Sequence, residues 1–419
     1  MELAGVQERE GWLRGGRAWL LLLLLALFTA MGLYQAWPQF GQPLNFDPGD
    51  DWTVYHQRAL DVLQHGLAMS AVQEPYSAPA GFLYIYFVAL CYALLGAHPA
   101  RVFVVQSAML GLTVWLLFTA FAPGRRRLTQ LLLLAALVCF ALVDVQRHYV
   151  MRLLSENLML PILALFFRLL FAGLWRGPAK GPGRSWGPAL ALRVLGALPL
   201  ARPNAMIFIP PLAAWLLLSR QGRELIAPRR LVLGLALFAL VFSAMGIRNH
   251  AVTGRWIMFT PARWEMFEAP GYGKGLMEAL NPAGPAAPRE GVLPMLGLIA
   301  KALADHPLAT SEAYARRLLY CLGFMPLLEP SHHYRPHWML AWALYLAGLA
   351  CWLGGRAELD ARQAVLALWV WPMLAVVAGV SWVASYGFRF QVPIVLPMLG
   401  GAAWALDALR GLPDRRCNR

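Results

Sequence analysis

Long apolar runs recur along the chain and restrict its possible folds more than any other feature. Ten of them approach the roughly 20 residues that a helix needs to cross a bilayer, although a couple are short. Backbone groups in hydrocarbon must be hydrogen-bonded within their own segment, so such runs indicate membrane-spanning helices. The runs cover residues 16–36, 100–121, 128–145, 153–175, 188–200, 203–218, 231–247, 337–353, 364–384 and 390–409.

The charge content agrees with a membrane protein. Of the 419 residues, 59% are hydrophobic and only 14% are charged, whereas a soluble chain carries about 25% charged residues. The net charge of +14 does not indicate nucleic-acid binding, because the basic residues form short clusters between apolar runs, where membrane topology accounts for them. Disulfides and zinc sites are not expected, since the five cysteines lack a CxxC or metal-ligand spacing: Cys91, Cys139, Cys321, Cys351 and Cys417.

The basic clusters also predict the orientation of the chain. If the aromatic-rich apolar run 81–95 lies along the interface instead of crossing, every compact basic block falls on one side, as the positive-inside rule requires. We therefore predict an all-α polytopic membrane protein with ten spans, an uncleaved first span, both termini cytoplasmic and an interfacial helix in the first outer loop. The basic blocks are the N-terminus, 125–127, 176–184, 220–230, 356–362 and 410–419.

Three parts follow from this topology. Residues 1–247 form an N-terminal membrane module whose first outer loop is 37–99, and residues 337–419 form the C-terminal membrane helices. Between them, 248–336 is a Gly/Pro-rich outer segment. Helical periodicity at 292–304 and 307–319 predicts short helices within it. We expect this segment to pack on the membrane part as a lid.

Two adjacent carboxylates stand out in the first outer loop. Asp50 and Asp51 precede a short amphipathic stretch, and Gly66 is placed to end it as a helix. An aspartate before a helix can cap the free N–H groups of its first turn. It can also face a site, and the two carboxylates can divide these roles.

Further polar residues gather at the predicted outer ends of separate helices. Ionisable residues at membrane depth are costly and usually face a cavity or one another, so we expect one outward-facing site. The alternative for each arginine is snorkelling or headgroup contact, but anchoring arginines favour the cytoplasmic side. The set comprises Arg147, His148, Arg152, Ser155, Glu156, Arg202, Arg248, Asn249 and residues 386–389.

Short motifs occur in a characteristic order between Ala18 and Leu409. They are Asp50-Asp51-Trp52-Thr53-Val54-Tyr55 with Ala59 and Gly66, residues 76–84, Ser155-Glu156-Asn157-Leu158, Ala201-Arg202-Pro203, Ile247-Arg248-Asn249 with Gly254, and Arg389-Phe390-Gln391-Val392-Pro393-Ile394. In this order they resemble the GT-C superfamily of membrane glycosyltransferases. The similar branch uses lipid-linked sugars and includes protein O-mannosyltransferases and the aminoarabinose transferases that act on lipid A. Relatives often have an Asp-Glu pair where this chain has Asp50-Asp51, so the choice of catalytic aspartate stays open, with Asp51 favoured.

The resemblance implies hexosyl or pentosyl transfer from a polyprenyl-phosphate donor to an acceptor hydroxyl, with inversion, at the outer face of a bacterial inner membrane. Asp51 or Asp50 would be the general base. Arginines bind phosphate oxygens in bidentate geometry, which predicts Arg202, Arg248 and Arg389 as donor phosphate ligands, with Lys274 a weaker candidate. The predicted substrate-binding residues are Tyr55, Tyr76, Tyr84, His148, Glu156 and Asn249, although Glu156 has an alternative partner in Arg152 at i,i+4.

No cofactor is predicted, although two adjacent aspartates leave a divalent metal open. The acceptor can be a lipid, a protein or a glycan. A transporter or flippase of a lipid-linked or anionic solute is one alternative function, but such proteins tend to have paired halves with helices broken at mid-membrane depth. A polymerase or ligase of lipid-linked polysaccharide is another, and it need not depend on the first-loop aspartates.

Overall fold

The computed structural model of the protein describes residues 2–42, 51–66, 82–175, 186–254, 256, 304–308, 311–312, 315, 336–354, 361–380 and 387–410. Helices form nearly all of these residues, and none of them lies in a strand, so the predicted all-α class is confirmed. The chain divides into two compact units. The first holds residues 1–73, 79–203 and 224–256, and the second holds 74–78, 204–223 and 257–419.

The first unit contains eight α-helices among its described residues. They are α1 (Glu2–Ala36), α2 (Asp51–His65), α3 (Phe82–Leu95), α4 (Pro99–Phe121), α5 (Arg127–Phe140), α6 (Glu156–Trp175), α7 (Gly187–Ala201) and α10 (Pro228–Thr253). A π-helical segment, Ala141–Val150, continues directly from α5. A 3-10 turn, Pro203–Phe208, and α9 (Arg220–Leu225) cross the boundaries between the units. The second unit contains α8 (Ile209–Leu218), α11 (Pro336–Leu353), α12 (Ala361–Val380) and α13 (Gly387–Arg410).

Several of these helices have the length and composition of membrane spans. Each of the ten predicted runs overlaps a helix. Within the described ranges, five helices are long and apolar enough to cross a membrane: Ala18–Gln39, Pro99–Phe121, Arg127–Gln146, Pro228–Ala251 and Gln391–Leu409. Other apolar helices are shorter, such as Gly187–Ala201 and His337–Leu353. The chain therefore has the character of a membrane protein, while the ten-span GT-C arrangement stays a prediction.

Helix α3 is short for a membrane span. Its 14 residues extend for about 21 Å, whereas the hydrocarbon core is about 30 Å thick. It is apolar throughout and buries Phe82, Tyr84, Ile85 and Tyr92. This length agrees with the predicted interfacial placement of the run.

Helix α4 is the core of the first unit, because α1 and α6 both pack against it. On the α1 side, a Cβ added at Gly111 would lie 2.8 Å from the carbonyl oxygen of Leu24, so only glycine permits this approach. On the α6 side, the rings of Phe121, Phe167 and Phe171 lie with centroids 5.6–5.8 Å apart. Helix α7 packs in turn against α6 and α10.

Helix α13 packs against α11 and α12 in the second unit. It stays helical through Pro393 and Pro397. A proline has no N–H, so Pro397 leaves the carbonyl of Pro393, four residues earlier, without its helical donor. The indole Nε1 of Trp369 on α12 donates to that oxygen at 2.7 Å. Membrane helices tolerate proline when a neighbour supplies the missing hydrogen bond in this way.

The boundary predicted at residue 248 lies inside a helix. Helix α10 continues to Thr253 and ends at Gly254, whose φ of +70° gives a left-handed C-cap. The apolar periodicity stops at Ile247, but the helix continues because its polar end also packs, with Asn249 only 3% exposed. The helices predicted at 292–304 and 307–319 fall almost entirely outside the described residues.

Candidate functional site

Helix α2 begins at Asp51, the residue that the sequence favours as the general base. It ends at Gly66, whose φ of +74° confirms the predicted glycine stop. Asp50 lies outside the described residues, and Asp51 is described by its backbone alone. Tyr55 and Arg58 follow Asp51 by four and seven residues. This spacing places the three positions on one helix face, with about 10 Å between the first and the last.

Tyr55 and Tyr84, both predicted to bind substrate, pack against each other. Their ring centroids lie 4.9 Å apart in a T-shaped arrangement, and their exposed fractions are 4% and 0%. The hydroxyl of Tyr84 donates to Oε1 of Gln106 on α4. The ring contact therefore holds α2 against α3, and the hydrogen bond from Tyr84 to Gln106 joins α3 to α4.

Gln106 and Asn157 hold the turn that leads into α6. Nε2 of Gln106 donates to the carbonyls of Val150 at 2.6 Å and Arg152 at 3.1 Å. Nδ2 of Asn157 donates to the carbonyls of Tyr149 at 3.0 Å and Arg152 at 3.1 Å. These bonds fix the point where the helix begins. The predicted substrate residue His148 lies just before the turn, in the π-helical segment, and only its backbone is described.

Arg202 and Glu156 form a buried ion pair. Nη1 of Arg202 lies 2.6 Å from Oε1 of Glu156 and donates to Oγ of Ser155 at 3.2 Å. The two residues are 5% and 1% exposed. The i,i+4 pair that we considered between Arg152 and Glu156 does not form, because α6 begins only at Glu156 and Arg152 lies in the turn before it. The pair joins the start of α6 to the end of α7.

Arg248 lies near the C-terminal end of α10 among polar groups from three helices. Its Nη1 donates to Oδ1 of Asn249 at 2.8 Å, and its guanidinium is hydrogen-bonded to the hydroxyl of Tyr86 on α3. Arg58 on α2 is close enough to interact with it electrostatically. Burial lowers the pKa of Arg58, Asp61 raises it, and the like charge of Arg248 lowers it again. Two guanidinium groups within electrostatic range of each other favour an anion between them.

The remaining polar residues of α2 have partners of their own. Nδ1 of His65 lies 2.8 Å from Oδ1 of Asp61. Nδ1 of His56 lies 2.6 Å from the hydroxyl of Tyr92 on α3. Burial and the neighbouring His98 lower the pKa of His56 below its ordinary value.

Sequence reasoning missed Arg58, Asp61 and Gln106 and assigned Tyr86 to interfacial packing alone. The spacing of seven residues between Asp51 and Arg58 was a usable signal, because it places both on one helix face. No comparable signal existed for Gln106, whose partners are backbone carbonyls of another segment.

The side chains of the remaining predicted site residues are not described. Arg389 belongs to the second unit, near the start of α13, and only its helical backbone is described. Lys274 and Tyr76 lie outside the described residues. Tyr55, Tyr84, Glu156, Arg202, Arg248 and Asn249 all belong to the first unit.

Comparison of the chain with protein families, with curated proteins and with solved structures finds no match. The functional assignment therefore depends on the residues and their geometry.

Proposed function

We propose that this protein is a GT-C-type glycosyltransferase that moves a sugar from a polyprenyl-phosphate donor to an acceptor hydroxyl at the outer face of the membrane. One observation carries the proposal: the helix that begins at Asp51 also carries Arg58, which lies within electrostatic range of Arg248. A carboxylate position and two guanidinium groups thus belong to one cluster of α2, α3 and α10. The order of the sequence motifs supports the same conclusion.

The reaction needs a base and a cation on opposite sides of the anomeric carbon. The acceptor hydroxyl oxygen attacks the anomeric carbon, and its proton passes to the carboxylate of Asp51. The bond between that carbon and the phosphate oxygen breaks, and the lipid phosphate leaves with the electron pair. Fixed cations aimed at the oxygen that gains charge lower the barrier.

Arg248 and Arg58 take the phosphate in this proposal. Asn249 accepts from Arg248 at 2.8 Å, and Tyr86 is hydrogen-bonded to the same guanidinium, so two neighbours restrict its orientation. Arg202 already faces the carboxylate of Glu156 at 2.6 Å. We assign that pair to positioning the ends of α6 and α7 instead of binding donor. Arg389, Lys274, His148 and Tyr76 keep their predicted roles as hypotheses.

A direct test measures sugar transfer by purified protein in lipid, with radiolabelled polyprenyl-phosphate sugars as donors and a membrane extract as the acceptor pool. Asp51→Asn removes the base while keeping the side chain's size, so transfer should fall by roughly two to four orders of magnitude. Donor binding should remain. Asp50→Asn shows which aspartate acts, and exposed Asp305→Asn is the matched control.

Arg248→Gln provides the second arm of the same assay. It should weaken donor binding and slow transfer, because the phosphate loses a charge-assisted hydrogen bond. Equal transfer by the native chain and all aspartate variants would exclude the aspartate mechanism. A protein that binds donor and moves it across the membrane without transfer would instead be a transporter.

A further inference from the structure

A groove runs between α6, α7 and α10, away from the cluster described above. Its volume is about 400 Å³, within the range of small-molecule pockets. Five of its six lining residues are apolar. The lining consists of Leu169, Leu190, Arg193, Val194, Ala197 and Val241.

Close helix packing explains why the groove exists. A Cβ added at Gly196 would lie 2.8 Å from the carbonyl oxygen of Phe238, so α7 and α10 nearly touch there. Ala197 follows directly and contributes only a methyl group. The longer side chains of Leu190 on α7 and Leu169 on α6 then form walls around the space that Ala197 leaves.

The N-terminal ends of α7 and α10 have the marks of a membrane interface. Trp186, just before α7, is 52% exposed, and the guanidinium of Arg230 lies 4.7 Å from its ring centroid. Tryptophan and arginine are enriched at the headgroup level. Arg193 follows Trp186 by seven positions, a rise of about 10 Å along the helix. Arg193 therefore starts below the headgroups, in the apolar part of the helix.

Arg193 is exposed, and no hydrogen bond or ion pair joins it to any described residue. The preceding segment, 176–185, offers no anion, because its sequence contains no aspartate or glutamate. A guanidinium keeps its charge in proteins, and a charge at this depth is costly without a partner. A lipid phosphate is an anion that a bilayer supplies in quantity at this level.

We propose that this groove binds one acidic phospholipid. The phosphate lies against Arg193, and an acyl chain follows Leu190, Val194, Ala197, Leu169 and Val241. Basic pockets between membrane helices bind acidic lipid headgroups for the same electrostatic reason. The site is independent of the proposed glycosyl transfer and does not share residues with it.

Native mass spectrometry of the full chain tests the proposal, with phosphatidylglycerol and phosphatidylcholine of matched acyl chains as probes. The native protein should retain one phosphatidylglycerol in preference to phosphatidylcholine. Arg193→Gln should weaken this binding about tenfold, since it removes a charge-assisted hydrogen bond. Ala197→Phe fills the groove and should weaken binding of both lipids.

Two matched controls separate the groove from general effects of charge and bulk. Arg223→Gln removes an exposed cation on α9, and Ala239→Phe adds a ring at an exposed position of α10; neither should change binding. Thermal unfolding in detergent identifies any variant that fails to fold. If one of Arg193→Gln and Ala197→Phe does not fold, the lipid binding of the other tests the proposal. Equal retention of both lipids by the native chain, or unchanged binding in a folded Arg193→Gln, would overturn the proposal.

Discussion

At the scale of single residues, the pair of Glu156 and Arg202 determines how the ends of α6 and α7 meet. Both side chains are almost fully buried, and Ser155 shares the guanidinium. A buried ion pair adds little net stability, because both ions lose their hydration. Removing one partner strongly destabilises the fold, because the other charge then stays buried without compensation.

Glu156→Gln should therefore destabilise the protein by about 3–5 kcal/mol. The apolar double variant Glu156→Leu/Arg202→Met should lose less, because it leaves no uncompensated charge. Thermal unfolding in detergent micelles measures both. A Glu156→Gln protein with native stability but altered donor affinity would show that Arg202 serves the donor instead, as the sequence first indicated.

The residue types at the site could be predicted, but their pairing could not. Arginines and acidic residues at helix ends could be found from the sequence, because charge is rare at membrane depth and its positions stand out. Which arginine faces a carboxylate depends on where α6 begins. Gln106 and Asn157 set that point through backbone carbonyls distant in sequence, and no sequence periodicity encodes such bonds.

At the scale of elements, α13 shows how a helix with two internal prolines stays continuous. The carbonyl of Pro393 would be unsatisfied without Trp369. An unsatisfied polar group in an apolar surrounding costs about 1–3 kcal/mol. The contact between α12 and α13 is thus a hydrogen bond as well as apolar packing.

Trp369→Phe should destabilise the protein through the lost donor and the lost indole volume. Pro397→Ala restores the N–H within α13, so Trp369→Phe should be less costly in that background than in the native chain. Four unfolding measurements complete this double-mutant cycle. Additive effects would show that the indole stabilises the fold by packing alone.

Helix positions were predictable, but the polar end of α10 and the start of α8 were not. Apolar runs located α4, α7 and α11 closely, because burial and periodicity coincide there. They placed the end of α10 too early, since Arg248 and Asn249 are polar yet packed. The run 203–218 also begins as a 3-10 turn, Pro203–Phe208, before α8 starts at Ile209.

At the scale of the whole molecule, the direction of the chain through the bilayer is the prediction on which the site depends. If α3 lies in the interface, residue 126 is cytoplasmic and residue 251 is outside. If α3 spans, the two positions exchange sides. The basic clusters favour the first arrangement.

Single cysteines in a cysteine-free background distinguish these arrangements. Arg126→Cys should resist a membrane-impermeant thiol reagent applied from outside, and Ala251→Cys should react with it. Both positions are exposed, so access to the reagent reports the side of the membrane. The reverse pattern would place the proposed site in the cytoplasm, and labelling of both would refute the predicted number of spans between them.

The division into two units has a consequence for biosynthesis. Helix α8 belongs to the second unit but leaves the ribosome before α10, the last helix of the first. Helix α12, which packs against it, begins only at Ala361, so at ~5–20 residues per second α8 waits on the order of ten seconds for this partner. During that interval lipid or the insertion machinery must shield it. A nascent chain whose residues up to Trp256 have left the ribosome would hold all of the first unit and α8 without α12.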